Sequence, residues 1–500
     1  MVDLSGLGTA MGKLIDPPVL LIMVFGVFIG ILCGAIPGIS ASMAVGVALP
    51  MTFSMPTINA MVFLCAVYAG ACYGGSITAI LLNAPGTPSA ACTVLDGFPM
   101  TKNGEANRAL GLALGASCVG GIFSYIVLLC FTGPVAGIAI KFGPSEMFLL
   151  AILGLMIIGT MRENDLWKSL MAGIFGIMAV NVGAATDGKL RYYFGITYFM
   201  DGLPEIPVIM GMFAFAELFS LMNKKNVISE GYQQKRSLKE IFLGTIEVFR
   251  HPVNLLRSAV IGTCIGALPA AGSTISSFIA YNQAKLASGN PERFGTGYSE
   301  GVIACETANN ASTGGALMTM FALGIPGGAT TAIMLGALTM QGLQPGPRMY
   351  STQTVLVYTV ILSLLLSQVV MYILGMGFSF GLSNVLNIST KILTPVLMAT
   401  CIAGVFSVKN SAVYISLMIF MAGLSILMKR NGYPPLAFVM GVMLGGMADE
   451  QFCRMNILYR GDFTMFVKRP ISLIILIAIL LMIILPMLQQ RKKKTEDQSI

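Results

Sequence analysis

Long apolar runs interrupted by glycine and proline dominate the pattern of this chain. Runs of roughly 18 residues or more are long enough to cross the hydrocarbon core of a bilayer as helices. Clear examples are 19–36, 109–131 and 471–488. The pattern predicts an all-α polytopic integral membrane protein with about 11 to 12 transmembrane segments. The first run has no basic segment before it, so we expect a retained helix rather than a signal peptide.

One interrupted apolar segment occurs twice. Its first copy, 30–40, reads GILCGAIPGIS, and its second copy, 262–273, reads GTCIGALPAAGS, at an offset of 232 residues. Downstream, the glycine pair 74–75 and NAPGTP at 83–88 are matched by the pair 314–315 and GIPGG at 324–328, at an offset of about 240. Duplicated apolar units with proline and glycine at matching places are typical of the binding sites of secondary transporters.

The duplication predicts how the chain is divided. We expect a first transmembrane repeat at 1–222, a cytoplasmic basic connection at 223–257, a second repeat at 258–469, and a terminal transmembrane helix with a basic tail at 470–500. The breaks predict broken or re-entrant helices. The two repeats are inverted if each crosses the membrane an odd number of times, and parallel otherwise. The pattern leaves both open, and inversion is favoured because midplane sites commonly arise from inverted repeats.

The four breaks are the predicted binding site. Unwound backbone at membrane depth is tolerated only inside protein or beside a water-filled cavity. The amides freed at half-helix N-termini attract anions, and hydroxyl side chains are dense around all four breaks. The predicted substrate-binding residues are Pro37, Gly38, Ser40, Ser42, Gly86, Thr87, Gly272, Ser273, Thr274, Gly327, Thr330 and Thr331.

A coupling ion is predicted near the only acid within the apolar segment 301–323. Glu306 is followed by two amides in CETANN, and an acid at membrane depth is costly and a candidate for function. The predicted ion-binding residues are Asn83, Glu306, Asn309 and Asn310. Alternatively, Glu306 lies at the membrane surface where its helix begins. Glu217, Asp449 and Glu450 end the closing helices of the repeats, and we expect them at the interface.

Composition excludes several other classes. Only 10% of the 500 residues are charged, whereas soluble domains carry about 25%. The net charge of +8 lies in loops and the tail, which indicates cytoplasmic placement and predicts no nucleic-acid partner. The single histidine, His251, lies in the basic connection, so we expect no catalytic residues and no metal beyond Na⁺.

No nucleotide site or cofactor is expected either. The P-loop-like stretch 183–189 is followed by Leu190, where a P-loop needs Ser or Thr. The energy for uphill transport would then come from a gradient of Na⁺ or H⁺. Two alternatives from other classes are a passive channel or membrane scaffold for organic anions, and an intramembrane enzyme, for which no catalytic pair is present.

The same segments resemble a known family. The matching stretches are GAIPGISASM at 34–43, YGGSITAILLNAPGTP at 73–88, DGFP at 96–99, GVIACETANN at 301–310, the glycine pair 314–315, LGIPGGATT at 323–331 and LQPGP at 343–347. They are similar to the large membrane subunit of tripartite tricarboxylate transporters, and the resemblance spans essentially the whole chain.

The resemblance implies a multi-pass importer of the bacterial inner membrane. Its implied partners are a periplasmic solute-binding protein and a small membrane subunit of about four helices. The implied substrates are small carboxylates such as citrate, carried by alternating access with Na⁺ or H⁺. The family does not fix the individual carboxylate, because the solute-binding protein varies within it.

Overall fold

The computed structural model is almost entirely helical and describes residues 4–139, 142–160, 166–184, 190–200, 202–222, 237–269, 271–381, 390–460 and 462–481. Its helices, in chain order, are α1 (Leu4–Leu14), α2 (Pro17–Gly34), α3 (Ala41–Ala48), α4 (Thr57–Leu82), α5 (Val94–Lys102), α6 (Ala106–Ala139), α7 (Pro144–Thr160), α8 (Leu166–Val180), α9 (Glu205–Met210), α10 (Ala216–Met222), α11 (Leu238–Glu247), α12 (Pro252–Gly266), α13 (Gly272–Ala287), α14 (Ser299–Leu323), α15 (Ala329–Met340), α16 (Pro347–Thr352), α17 (Thr354–Gly381), α18 (Thr390–Lys409), α19 (Ala412–Arg430), α20 (Pro435–Leu458), α21 (Met465–Lys468) and α22 (Pro470–Leu481).

Shorter elements join some of these helices. A π-helical turn, Gly211–Phe215, connects α9 to α10. Strands β1 (Gly183–Ala184) and β2 (Leu190–Arg191) form a small antiparallel pair, with Gly183 opposite Arg191. The 3-10 turns are Leu49–Thr52, Pro88–Ala91, Thr197–Phe199, Val248–Arg250 and Pro291–Arg293.

The all-α polytopic prediction is confirmed. Among the described residues, six helices are long and apolar enough to cross a bilayer: Pro17–Gly34, Thr57–Leu82, Ala106–Ile138, Thr354–Gly381, Ala412–Arg430 and Pro435–Leu458. Six shorter apolar helices accompany them, including Ala41–Thr52 and Ala329–Met340. Of the shorter helices, Ala41–Thr52 and Ala329–Met340 follow breaks, and Pro470–Leu481 ends at the last described residue.

Two compact units make up the fold. The first contains Met1–Ala136 and Ile209–Ala422, and the second contains Gly137–Val208 and Gly423–Ile500. In the second unit, α7 and α8 pack against α20, and the buried Glu146 carboxylate accepts a bond from Arg469 Nε at 2.7 Å. The two units are defined by which residues pack together, and not by the duplication in the sequence. The predicted repeat boundaries therefore stay a prediction.

Glycines decide how closely the helices of the first unit approach. Methyl groups at Gly30 and Gly34 of α2 would overlap the carbonyl oxygens of Val67 and Ala71 on α4. The backbones of α2 and α4 are therefore in direct contact, which is how small residues spaced four apart act in membrane helices.

The basic connection is described only in part. Residues 223–236 lie outside the described residues, as do 185–189 of the P-loop-like stretch, Ala270, and the tail beyond 481. From Leu238 onward the connection forms the amphipathic helix α11, which places Gly244 against the backbone of Gly111 in α6. The Glu247 carboxylate then receives two bonds from the Arg108 guanidinium, at 2.8 and 2.6 Å.

Candidate transport site

The two breaks of the first copy form one structure. Gly38 ends the break after α2 with φ +91°, and its N–H donates to the Gly86 carbonyl at 3.2 Å. The Gly86 N–H donates in turn to the Gly75 carbonyl of α4 at 3.1 Å. A side chain at Gly86 would overlap the carbonyl oxygen of Gly34. Glycine is therefore required where the second break lies against the end of α2.

The second copy repeats this arrangement. Gly324 caps the C-terminus of α14 with φ +73°, as the left-handed Asn83 caps the C-terminus of α4 with φ +56°. A Cβ at Gly327 would lie 2.8 Å from the Gly266 carbonyl oxygen, as one at Gly86 would meet the Gly34 carbonyl. The polypeptide thus turns in the same way at both second breaks.

The contacts between helices also correspond residue by residue. Gly30 lies against Val67 as Gly262 lies against Ala308, and Gly34 lies against Ala71 as Gly266 lies against Ser312. The offset is 232 residues in the first helix of each pair and 241 in the second. Gly74 accordingly corresponds to Gly315 rather than to Gly314, and Gly75 corresponds to Ala316. The sequence alignment of these glycine pairs was wrong by one residue, because an offset of 240 matches both glycines of each pair, whereas the offset of 241 matches only one.

The helical segments that follow the breaks pair across the two copies. The helix α3, which follows the first break of the first copy, packs against α15, which follows the second break of the second copy. The complementary pair joins the Pro88–Ala91 turn to α13, and the Cys92 thiol lies 3.6 Å from the Ser277 carbonyl oxygen. All four breaks therefore belong to the first compact unit.

Hydroxyl side chains surround these breaks as the sequence predicts. Ser40 caps the N-terminus of α3 by accepting from the Met43 N–H at 3.1 Å, and its oxygen lies 2.8 Å from the Ser42 hydroxyl. Thr87 is buried, with its hydroxyl 3.1 Å from Ser89. Thr331 receives a bond from the Gly328 N–H at 3.0 Å in the first turn of α15.

The remaining predicted substrate residues lie on the same segments. Gly272 begins α13 with φ +67°, and Ser273 and Thr274 are half-buried in the first turn of that helix. Thr330 is buried beside Thr331, Pro37 is half-buried, and Gly38 is exposed. Most of the predicted substrate-binding residues thus lie at the N-termini of α3, α13 and α15. The first N–H groups of a helix have no partner within it.

A buried polar cluster lies in the middle of α14. Glu306 is fully buried, and its carboxylate accepts from the hydroxyl of Thr93 and from the Ser117 hydroxyl at 3.0 Å. Ser117, on α6, also accepts from Asn310 Nδ2 at 2.7 Å. This placement favours the deep position for Glu306 over the alternative at the start of its helix, which lies seven residues earlier at Ser299.

Two buried side-chain oxygens on the same helix have no hydrogen-bond partner among the described residues. They are Asn309 Oδ1 and Thr307 Oγ1, and both residues are fully buried. The nitrogen of the Asn309 amide is used, since it donates to the Cys72 carbonyl of α4 at 3.1 Å. An unpaired buried oxygen costs free energy unless something binds it, and a cation would do so.

Asn83 is not part of this cluster. It is exposed and lies eleven residues beyond Cys72 on α4, a rise of roughly 16 Å along the helix axis. Its left-handed φ of +56° instead assigns it the role of ending α4. The predicted ion-binding residues therefore separate into one group of three and one distant helix cap.

Three residues of the site were missed from the sequence. Thr93 and Ser117 reach Glu306 from 213 and 189 residues away, and neither stands out from other hydroxyl residues in apolar segments. Glu217, which we expect at the interface, contacts the first break, where its Oε2 accepts from the Ser40 hydroxyl at 2.6 Å. A signal was present, because Glu217 is the only charged residue in the apolar segment 206–222.

Comparison with known proteins identifies a family and related chains. Residues 20–440 match the tripartite tricarboxylate transporter TctA family. The chain is 30% identical to an uncharacterized 52.8 kDa protein in the TAR-I ttuC′ 3′ region of Agrobacterium vitis, over 95% of both chains. It is 32% identical to an uncharacterized protein in the TAR-II ttuC′ 3′ region of the same organism, over 43% of this chain and 89% of that protein. No solved structure matches the chain.

Proposed function

Because this chain belongs to the tripartite tricarboxylate transporter TctA family, we propose that it carries small carboxylates across the bacterial inner membrane, using an ion gradient. The observation that carries the proposal is the crosswise pairing of the four breaks, which gathers the N-terminal turns of α3, α13 and α15 in one compact unit. Such turns present N–H groups and partial positive charge to an anion.

The substrate class follows from the chemistry of these turns. Hydroxyl and backbone N–H donors from different half-helices suit a ligand with more than one carboxylate, such as citrate. A carboxylate accepts several charge-assisted hydrogen bonds without requiring a fixed basic partner. The proposed contacts are the hydroxyls of Ser42, Ser273 and Thr330 together with the backbone of Gly38 and Gly327.

The coupling ion is proposed to bind at the Glu306 cluster. An Na⁺ there would use the Glu306 carboxylate and the unpartnered oxygen of Asn309, since hard cations prefer oxygen ligands. A proton would instead sit on the Glu306 carboxyl itself. In either case the charge of the buried acid would be neutralised as the ion binds.

Two partners and a transport cycle complete the proposal. A periplasmic solute-binding protein would deliver the carboxylate, and a small membrane subunit would assemble with this chain, as the word tripartite implies for the family. The chain would then expose its site alternately to the two sides of the membrane. Substrate and ion would bind cooperatively if each helps to order the segments that hold the other.

Uptake by proteoliposomes tests this proposal. The chain, reconstituted with its two partners, is expected to accumulate labelled citrate above its outside concentration when an inward Na⁺ or H⁺ gradient is imposed. Glu306→Gln should abolish the dependence on the gradient, whereas Glu292→Gln, at an exposed acid, should behave as wild type. Citrate that only equilibrates in the wild-type protein would contradict coupled transport and favour a passive channel.

A further inference from the structure

The connection that leads into α12 has an exposed apolar surface. The helix α11 docks on α6 through Gly244 and Thr245, whose hydroxyl donates to the Gly111 carbonyl at 3.2 Å. Elsewhere on this amphipathic helix, Phe242 and Ile246 are exposed. Exposed apolar residues on a helix that is already docked indicate that a second, apolar surface covers them.

The exposed apolar residues continue along α12. Phe249 is 62% exposed and Val253 is 75% exposed, and Leu256 and Val260 are exposed after them. Spacings of three and four residues place the last three on one side of α12. At the 232-residue offset α12 corresponds to α2, which is long and apolar enough to span a bilayer. We therefore expect lipid acyl chains to cover this side of α12.

Two guanidinium groups border the apolar residues. Arg250 is exposed and directly follows Phe249, and Arg257 lies four residues after Val253. Arg257 extends toward the start of α12, where its Nη2 donates to Asn254 Oδ1 at 3.3 Å. This is the only one of its five N–H donors with a partner among the described residues, and its Nε is buried without one. A buried donor without an acceptor costs free energy, so an anion bound here would stabilise the protein.

The protein supplies no such anion itself. The Glu247 carboxylate binds the Arg108 guanidinium, and Glu300 lies 3.5 Å from His251 Nδ1. Arg250 adds to the positive field at Glu247 without pairing with it. Within the described part of the chain, neither of the two guanidinium groups forms an ion pair. An anion from outside the chain is therefore needed to complete this surface.

We propose that the junction of α11 and α12, residues 249–257, binds an anionic phospholipid. Its phosphate is held by Arg257 and Arg250, and its acyl chains lie along Phe249, Val253 and Leu256. Guanidinium donors match phosphate oxygens in pairs, and basic pockets beside membrane helices suit anionic headgroups. A free phosphate would satisfy the two arginines but would leave the apolar side chains uncovered. The proposal goes beyond carboxylate transport and does not depend on it.

Native mass spectrometry of the full-length chain tests the inference. The protein is released from micelles that contain equal amounts of phosphatidylglycerol and phosphatidylcholine with the same acyl chains. The wild type should retain phosphatidylglycerol in preference. Arg250→Gln combined with Arg257→Gln should weaken that preference about thirtyfold, because two basic contacts to an anionic headgroup are lost. The matched control is Lys285→Gln combined with Lys429→Gln, which removes two charges from exposed lysines on α13 and α19 and should keep the preference.

The remaining outcomes are also distinct. If the double arginine variant does not fold, Arg250→Gln alone, at an exposed residue, should still reduce the preference about fivefold. An unchanged preference in the arginine variants would overturn the inference. Release of the lipid by an excess of glycerol phosphate would overturn it in favour of a site for free anions. Loss of the lipid when the small membrane subunit assembles with wild type would assign this surface to that subunit instead.

Discussion

At the scale of single residues, the site depends on positions where only a hydrogen atom fits. Gly86 has the end of α2 on one side and Gly75 of α4 on the other, so both breaks of the first copy are fixed by this one contact. The backbone hydrogen bonds from Gly38 and Gly86 depend on the same close approach. The backbone conformation of these breaks therefore depends on the packing of the helices as much as on the prolines.

Gly86→Ala is expected to destabilise the protein because its methyl group would overlap the Gly34 carbonyl oxygen. Over-packing of this kind typically costs about 1–3 kcal/mol. Thermal unfolding in detergent would measure it as a lower midpoint. The matched control is Gly377→Ala on α17, where a Cβ meets nothing within 4 Å and alanine should stabilise the helix by up to about 1 kcal/mol. Equal midpoints for the two variants would contradict the close approach at Gly86.

At the scale of elements, the sequence predicted where helices break but not how the broken pieces pair. Proline and glycine affect the backbone conformation at their own positions. The breaks at 35–39 and 83–87 could therefore be predicted from the local sequence. The pairing of α3 with α15 depends on contacts across the whole chain, and local pattern has no information about them. The Ser40–Glu217 bond was missed for the same reason, whereas the Glu306 and Asn310 side chains were predicted because both lie on one short helical segment.

The docking of α11 on α6 gives a pH-dependent stability. Bonds from Arg108 lower the pKa of Glu247 below its ordinary value, so folding favours the ionised carboxylate. Its contribution is complete above about pH 4.3, the ordinary Glu value, and is lost as the pH falls through the lower value of the folded state. Arg108 is 38% exposed, which limits the pair to about 1 kcal/mol or less.

Glu247→Gln should therefore lower the unfolding midpoint at neutral pH, and its difference from wild type should shrink in acid. Thermal unfolding across the acid range would measure this, with Glu292→Gln as the exposed control. A difference that stays constant with pH would show that the variant acts through lost packing rather than through the ion pair.

At the scale of the whole molecule, the four breaks and the buried acid lie in the first compact unit. The two copies are alike in backbone and unlike in side chains. Glu306 and Asn309 in the second copy correspond, at the 241-residue offset, to Cys65 and Tyr68 in the first. Duplication would thus provide the paired substrate contacts, while the ion cluster belongs to one copy alone. This division fits a carrier that couples a single ion site to a symmetric anion site.

Counterflow is the measurement that tests the central claim, a carboxylate site that faces the two sides of the membrane in turn. Proteoliposomes containing the chain and its partners are loaded with unlabelled citrate and diluted into a trace of labelled citrate, without an ion gradient. A carrier predicts a transient accumulation of label above its equilibrium level, which Ser42→Ala combined with Ser273→Ala should abolish. Label that rises smoothly to equilibrium in the wild-type protein would contradict the account.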